Sequence, residues 1–116
     1  MMMNRGEVWW AKLPEPVGSE PGGRRPVLII SSNQWNNTNI HTVIVAIITS
    51  NLKLGNMPGN VYVTSEESGL SRDAIINVSQ IATTDKTFLV EYVGVLHPDA
   101  LELVEHGLRL VLSLNG

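Results

Sequence analysis

Apolar residues in this chain fall mostly into short runs, bounded by glycine, proline and polar residues, and not at helical spacing. Residues 7–13, which include Val8, Trp9 and Trp10, predict a first strand. Residues 26–31 and 42–48 are continuous aliphatic, β-branched runs, the pattern of strands covered on both faces. Pro26 can open the first of these without breaking a ladder. Residues 60–64, 73–78 and 92–95 predict shorter strands, and 80–83 a continuation of the sheet. Residues 14–24 hold three glycines and three prolines and predict a long loop, a length usually tied to function. Residues 32–39 read as polar with one anchor at Trp35, 51–59 as a polar loop around Lys53, and 65–69 as a turn. Thr84, Asp85 and Lys86 suggest one capped helical turn.

Helical spacing appears in one segment, from Pro98 to about Leu112. Pro98 suits the first helical position and Asp99 the positive end of the dipole. Leu101, Val104, Leu108 and Val111 form the stripe, widened by Ala100, Leu103 and Leu110. The prediction is therefore a mainly β fold closed by a C-terminal α-helix: a small, strongly curved sheet or open barrel. At 116 residues the chain has the size of one domain, expected to span residues 1–116.

Composition narrows the function. The absence of cysteine excludes a disulfide framework and a thiolate nucleophile, and fits a cytoplasmic location. No apolar stretch reaches the roughly 18 residues of a membrane span, and the first residues lack the apolar region of a signal peptide. The net charge of −3 is unevenly spread. Residues 1–53 hold Arg5, Lys12, Arg24, Arg25 and Lys53 against three acids, giving +2, whereas residues 54–116 carry −5. A local basic patch on an acidic protein suits a small anionic target better than long duplex DNA.

The patch lies where the Gly-rich loop meets a strand, in Gly18-Ser19-Glu20-Pro21-Gly22-Gly23-Arg24-Arg25-Pro26. Arg24 and Arg25 are either a solvated pair or a grip for phosphate or carboxylate, with one of the two pointing into a site. Thr49 and Ser50 at a strand end are turn formers or weak catalytic candidates. Glu20 is an exposed acid unless the loop folds back toward Arg25, where it becomes a proton acceptor. Trp9, Trp10 and Trp35 suggest core or dimer packing, with one of Trp9 and Trp10 facing out to stack a base or touch a partner. His41, His97 and His106 stand far apart, so neither metal nor cofactor is expected. The loop is neither a P-loop nor a dinucleotide fingerprint, because no Gly-Lys-Ser/Thr follows it and a strand comes next.

These residues resemble the MazF/PemK family, the toxin halves of bacterial toxin–antitoxin pairs. The resemblance runs through Arg5-Gly6-Glu7-Val8-Trp9, residues 18–31, Thr42-Val43-Ile44-Val45-Ala46, Thr49-Ser50, Gly69-Leu70 with Asp73, Gln80-Ile81, Thr84-Asp85-Lys86 and the closing helix. It implies a small SH3-like barrel of the MazF/PemK/CcdB type, a homodimer, and cleavage of single-stranded RNA at a short sequence without a metal. It also implies inhibition by a cognate antitoxin. By this resemblance Arg25 and Thr49 are catalytic, Glu20 has an acid–base role, and Ser19, Ser50 and Gln80 lie near bound RNA. Arg24, at a position variable in the family, and Lys53 are further expected RNA contacts. Ile47 replaces the proline of many members. The alternative is a non-enzymatic, CcdB-like gyrase-binding toxin. The C-terminal Ser113-Leu114-Asn115-Gly116 lacks that group's apolar Trp-Gly-Ile end, which disfavours it.

Overall fold

A computed structural model describes residues 3–14, 18 and 22–115. Its elements run β1 (Glu7–Leu13), β2 (Gly23–Ile29), α1 (Asn33–Asn36), β3 (Thr42–Thr49), β4 (Val61–Val63), α2 (Ser65–Ser68), β5 (Ala74–Asp85), β6 (Leu89–Val95) and α3 (Pro98–Leu112). Short 3-10 turns occupy Leu52–Asn56 and Lys86–Phe88. The strands form one curled sheet in the order β4-β5-β3-β2-β1-β6, and every pairing is antiparallel. The expected mainly β fold with a closing helix is therefore present, as an open half-barrel.

Strand β3 lies inside the sheet, paired with β2 on one side and β5 on the other. Its unbroken apolar run follows from this position. Ala46 and Ile48 enter one core with Val8, Leu28, Val63, Ile76, Val78, Leu96 and Val104. Val43, Val45 and Ile47 enter a second core with Trp9, Ala11, Val27, Ile29 and Leu89. Alternate side chains thus serve opposite faces, and neither face of β3 is left to water.

Several boundaries differ from the sequence reading. Strand β2 begins at Gly23, and Pro26 lies within it opposite Trp10. The β2–β3 ladder starts only at Val27, so the missing N–H of Pro26 breaks no bond on that side. Residues 74–85 are one strand, because β5 absorbs Val78, Ser79 and Gln80 as extra residues where Ala46 and Ile47 pair with Ile81 and Asn77. The carboxamide oxygen of Asn77 accepts from the N–H and hydroxyl of Ser79, stabilising this bulge. Strand β6 begins at Leu89.

The turn at 65–69 is a helical turn with a Thr64–Glu67 capping box, ended by Gly69 at φ 83. Trp35 is not an anchor; it is 41% exposed, while its neighbour Asn36 is buried and bonded to Ser31. The turn at Lys86 is capped by Asp85. The N–H and then the hydroxyl of Thr87 hold the Asp85 carboxyl below its ordinary pKa.

Helix α3 buries a narrower line than its stripe suggests: Ala100, Val104 and Gly107 are buried, and Leu103, Leu110 and Val111 are exposed. Gly107 sits so close to Gly59 that a Cβ there would lie 2.0 Å from the Gly59 carbonyl oxygen. The helix therefore touches the β4 segment backbone to backbone.

Candidate active site

Strands β2 and β3 pair through Val27–Ile47, Leu28–Ala46 and Ile29–Val45. Continued outward, this register would set Arg25 opposite Thr49. The strands instead part after Val27, and a cleft of about 460 Å³ opens there. Gly22, Arg24, Arg25, Thr49 and Ser50, from the ends of β2 and β3, line one part of it, termed the first wall; Leu70, Ser71, Arg72 and Asp73, from the link before β5, are the second, and Trp10 also lines it. Two residues 24 positions apart in the chain are thus brought to one basin by strand pairing alone.

The groups differ in how far their own protein occupies them. Arg24 donates to Glu91 at 2.6 Å and lies over the Trp10 ring, 4.4 Å from its centroid. Arg25 spends its Nε on the Gly22 carbonyl at 3.1 Å. Among the described residues its two terminal nitrogens have no other partner. That bond aims the guanidinium while leaving the planar end that suits a phosphate. Thr49 accepts from the Asn51 N–H at 3.2 Å, so its own O–H proton is left to donate. Ser50 is exposed beside it.

Both arginines line the cleft, where the sequence reading expected one. Lys53 is exposed in the turn after β3 and lies outside the cleft lining. Gln80 belongs to the β5 bulge and lines a separate hollow with Leu13, Pro14, Thr84 and Phe88. Ser19 and Glu20 lie outside the described residues. Neither Trp9 nor Trp10 faces out freely. Trp9 is buried, its indole N–H donating to Glu7 at 2.9 Å, and Trp10 is half-buried beneath Arg24. Among the described residues no three His, Asp or Glu side chains gather as a metal cluster, and no helix is long and apolar enough to cross a membrane.

Sequence reasoning missed Ser71 and Arg72. No local motif marks Arg72; it reaches the cleft because β5 pairs with β3, with Ile75 opposite Thr49. Its neighbour Asp73 is already engaged, accepting from the Ser65 N–H at 3.0 Å and from the Tyr62 hydroxyl. The bond to Asp73 raises the Tyr62 pKa above its ordinary value, aided by desolvation and by the carboxylate charge. A raised phenol favours the folded state below the ordinary tyrosine pKa, about 10, and this contribution is lost as pH rises through the folded value. Asp73→Asn should therefore lower the tyrosine titration midpoint read by ultraviolet absorbance; an unchanged midpoint would contradict this account.

Comparison with known proteins gives the fold and site a context. Endoribonuclease MazF6 of Mycobacterium tuberculosis is 45% identical over 114 residues, covering 98% of this chain and 100% of that protein. Endoribonuclease EndoA of Bacillus subtilis is 37% identical over 114 residues, covering 98% and 97%. The crystal structure of MazF from Deinococcus radiodurans has the same fold, with a TM-score of 0.80 at 23% identity, covering 97% of this chain and 98% of that one. So does a mycobacterial endoribonuclease in complex with its cognate antitoxin, with a TM-score of 0.74 at 23% identity and coverage of 99% and 97%. Residues 4–112 match the family described as PemK-like, MazF-like toxin of type II toxin-antitoxin system. A near-full-length family match and a full-length relative at 45% identity agree, and this chain belongs to the PemK/MazF toxin family.

Proposed function

We propose that this chain is a toxin endoribonuclease that cuts single-stranded RNA at a short specific sequence, and that the Arg25–Thr49 cleft is where it cuts. Its relatives at 45% and 37% identity are named endoribonucleases. The observation that carries the assignment to this cleft is that both groups line it with hydrogen-bonding capacity unspent among the described residues.

The chemistry uses the RNA itself. The 2′-oxygen attacks the adjacent phosphorus and loses its proton to a base. The bond from phosphorus to the 5′-oxygen breaks, and that oxygen takes a proton. The products are a 2′,3′-cyclic phosphate and a free 5′-hydroxyl. Negative charge grows on the non-bridging oxygens as the new bond forms. Arg25 stabilises that charge, and the Thr49 hydroxyl donates one hydrogen bond to it. Because Gly22 and Asn51 already aim these groups, little reorganisation is needed.

Arginine is a poor base near neutral pH, and the two Asp73 oxygens are engaged. The proton steps are assigned to Glu20, whose acid–base role the family resemblance implies, and to the hydroxyls of the RNA. Bases flanking the cut would be read in splayed form, as single-stranded RNA usually is. Ser19, Ser50, Arg24, Lys53 and Gln80 are the proposed RNA contacts. An acidic antitoxin segment would compete for the same cations, and a homodimer acting in the cytoplasm completes the reading.

The purified protein, given a long mixed-sequence RNA in EDTA, should produce fragments with new 5′-hydroxyl ends at one recurring sequence. Intact RNA, or cutting that EDTA abolishes, would refute the proposed mechanism.

A further inference from the structure

Resting on that reading, we propose that Arg72 grips the phosphate next to the one being cut, making the second wall of the cleft a phosphate subsite. The cleft holds three guanidinium groups, and their states differ. Arg24 is held by Glu91 and the Trp10 face. Arg25 is held by the Gly22 carbonyl. Arg72 is exposed, and among the described residues it has neither an ion pair nor a side-chain hydrogen bond. The nearest acid in sequence cannot serve it cheaply, since Asp73 already accepts from Ser65 and Tyr62.

Those two bonds also fix where Arg72 stands. They tie the end of the α2–β5 link to Ser65 and to β4, while β5 enters the ladder at Ala74. Ile75 pairs with Thr49, and Arg72 lies three residues before it. Three residues of chain span at most about 11 Å, so the Arg72 backbone stays within that reach of Ile75, the ladder partner of Thr49, and lines the same cleft. A long side chain on that wall faces a strand of RNA whose scissile phosphate sits at Arg25 and Thr49. The group it meets is the neighbouring phosphate. Ser71, on the same wall, adds a hydroxyl. Arg72 is thus a substrate-positioning residue, and it contributes affinity without entering the bond-breaking step.

Positioning and chemistry separate experimentally. Arg72→Gln should raise KM about tenfold, the effect of losing one charge-assisted hydrogen bond, with kcat within about twofold of the parent. Loss of one phosphate contact on a single strand should also flatten the plot of log(kcat/KM) against log salt by about 0.7. Arg72→Lys should retain most of that slope. Thermal unfolding should be unchanged, because among the described residues the side chain has no partner to lose. An unchanged KM and slope, or a fall in kcat with KM intact, would overturn the proposal.

Fluorescence anisotropy with a mixed-sequence 2′-deoxy oligonucleotide, which cannot be cut by this chemistry, tests the grip independently. If the parent protein fails to cut RNA, the nuclease reading fails. The phosphate subsite still stands if Arg72→Gln weakens binding and flattens the slope, and falls if it does neither.

Discussion

Arg25→Ala should lower RNA cleavage by at least about 10³-fold while leaving the fold intact. The side chain is half-exposed at a strand end and, among the described residues, makes one hydrogen bond, to the Gly22 carbonyl, so its removal opens no cavity. What disappears is a positive, planar donor aimed at the point where phosphoryl charge develops. Arg25→Lys keeps the charge but loses the fork and should recover only a small part of the rate. Thr49→Val removes the hydroxyl at nearly constant volume and should cost about 10²-fold. Thr49→Ser, which restores a hydroxyl able both to accept from Asn51 and to donate, should return most of it. If the two groups act on one phosphate, the double variant should fall well short of the product of the single losses. Single-turnover cleavage, with circular dichroism as the fold check, measures all five. Retention of more than about a tenth of the activity by Arg25→Ala would remove this residue from the mechanism.

Gly107→Ala should destabilise the protein by about 2–3 kcal/mol, despite alanine being the better helix former by about 1 kcal/mol. The new Cβ would sit 2.0 Å from the Gly59 carbonyl oxygen and 2.9 Å from its carbon. Backbone stands on both sides of the contact, so no side chain can turn aside. Gly59 itself has φ +87, and a Cβ there would meet the Gly107 oxygen at 3.0 Å, so relaxation on its side is blocked as well. The helix must lift, and Ala100 and Val104 lift with it from a fully packed core. For a chain of this size the melting temperature should fall by roughly 10 °C. Gly94→Ala gives the contrast. Nothing lies within 4 Å of a Cβ at that position, and the smaller unfolded-state entropy should leave stability unchanged or slightly raised. Equal urea midpoints for the two variants would show that the Gly59–Gly107 contact fixes nothing.

Strand content and the closing helix were legible because their patterns are local. Residues 42–48 could be read as buried on both faces because β3 has a neighbour on each side and a core above and below. Pro98 and Asp99 marked the helix start, since caps and dipoles act within one turn. The helix face was read too wide. Leu103, Leu110 and Val111 share the stripe's spacing, but the close approach at Gly107 centres the contact on small residues and leaves the leucines outside. The β5 bulge hid because Asn77 and Ser79 look like turn formers, and only the partner strand decides that the ladder resumes at Ile81.

The first wall of the cleft was visible as an Arg-Pro and a Thr-Ser pair at strand ends. The second wall was not, because Arg72 reaches it through a pairing that no sequence window contains. The partition of charge was equally hidden. Nothing adjacent in sequence to Arg24 announces that Glu91, 67 positions away, will hold it.

Strand β3 carries Thr49 at its end; it is paired with β5 along its whole length and with β2 from Val45 to Ile47, with apolar packing over both faces. The amides of Val45, Ala46 and Ile47, paired on both sides and buried, are expected to exchange with solvent only when the whole molecule unfolds. Thr49 lies two residues beyond Ile47, where β5 alone still pairs with it. The proposed catalytic hydroxyl thus rides on a short extension of what should be the slowest-opening part of the chain.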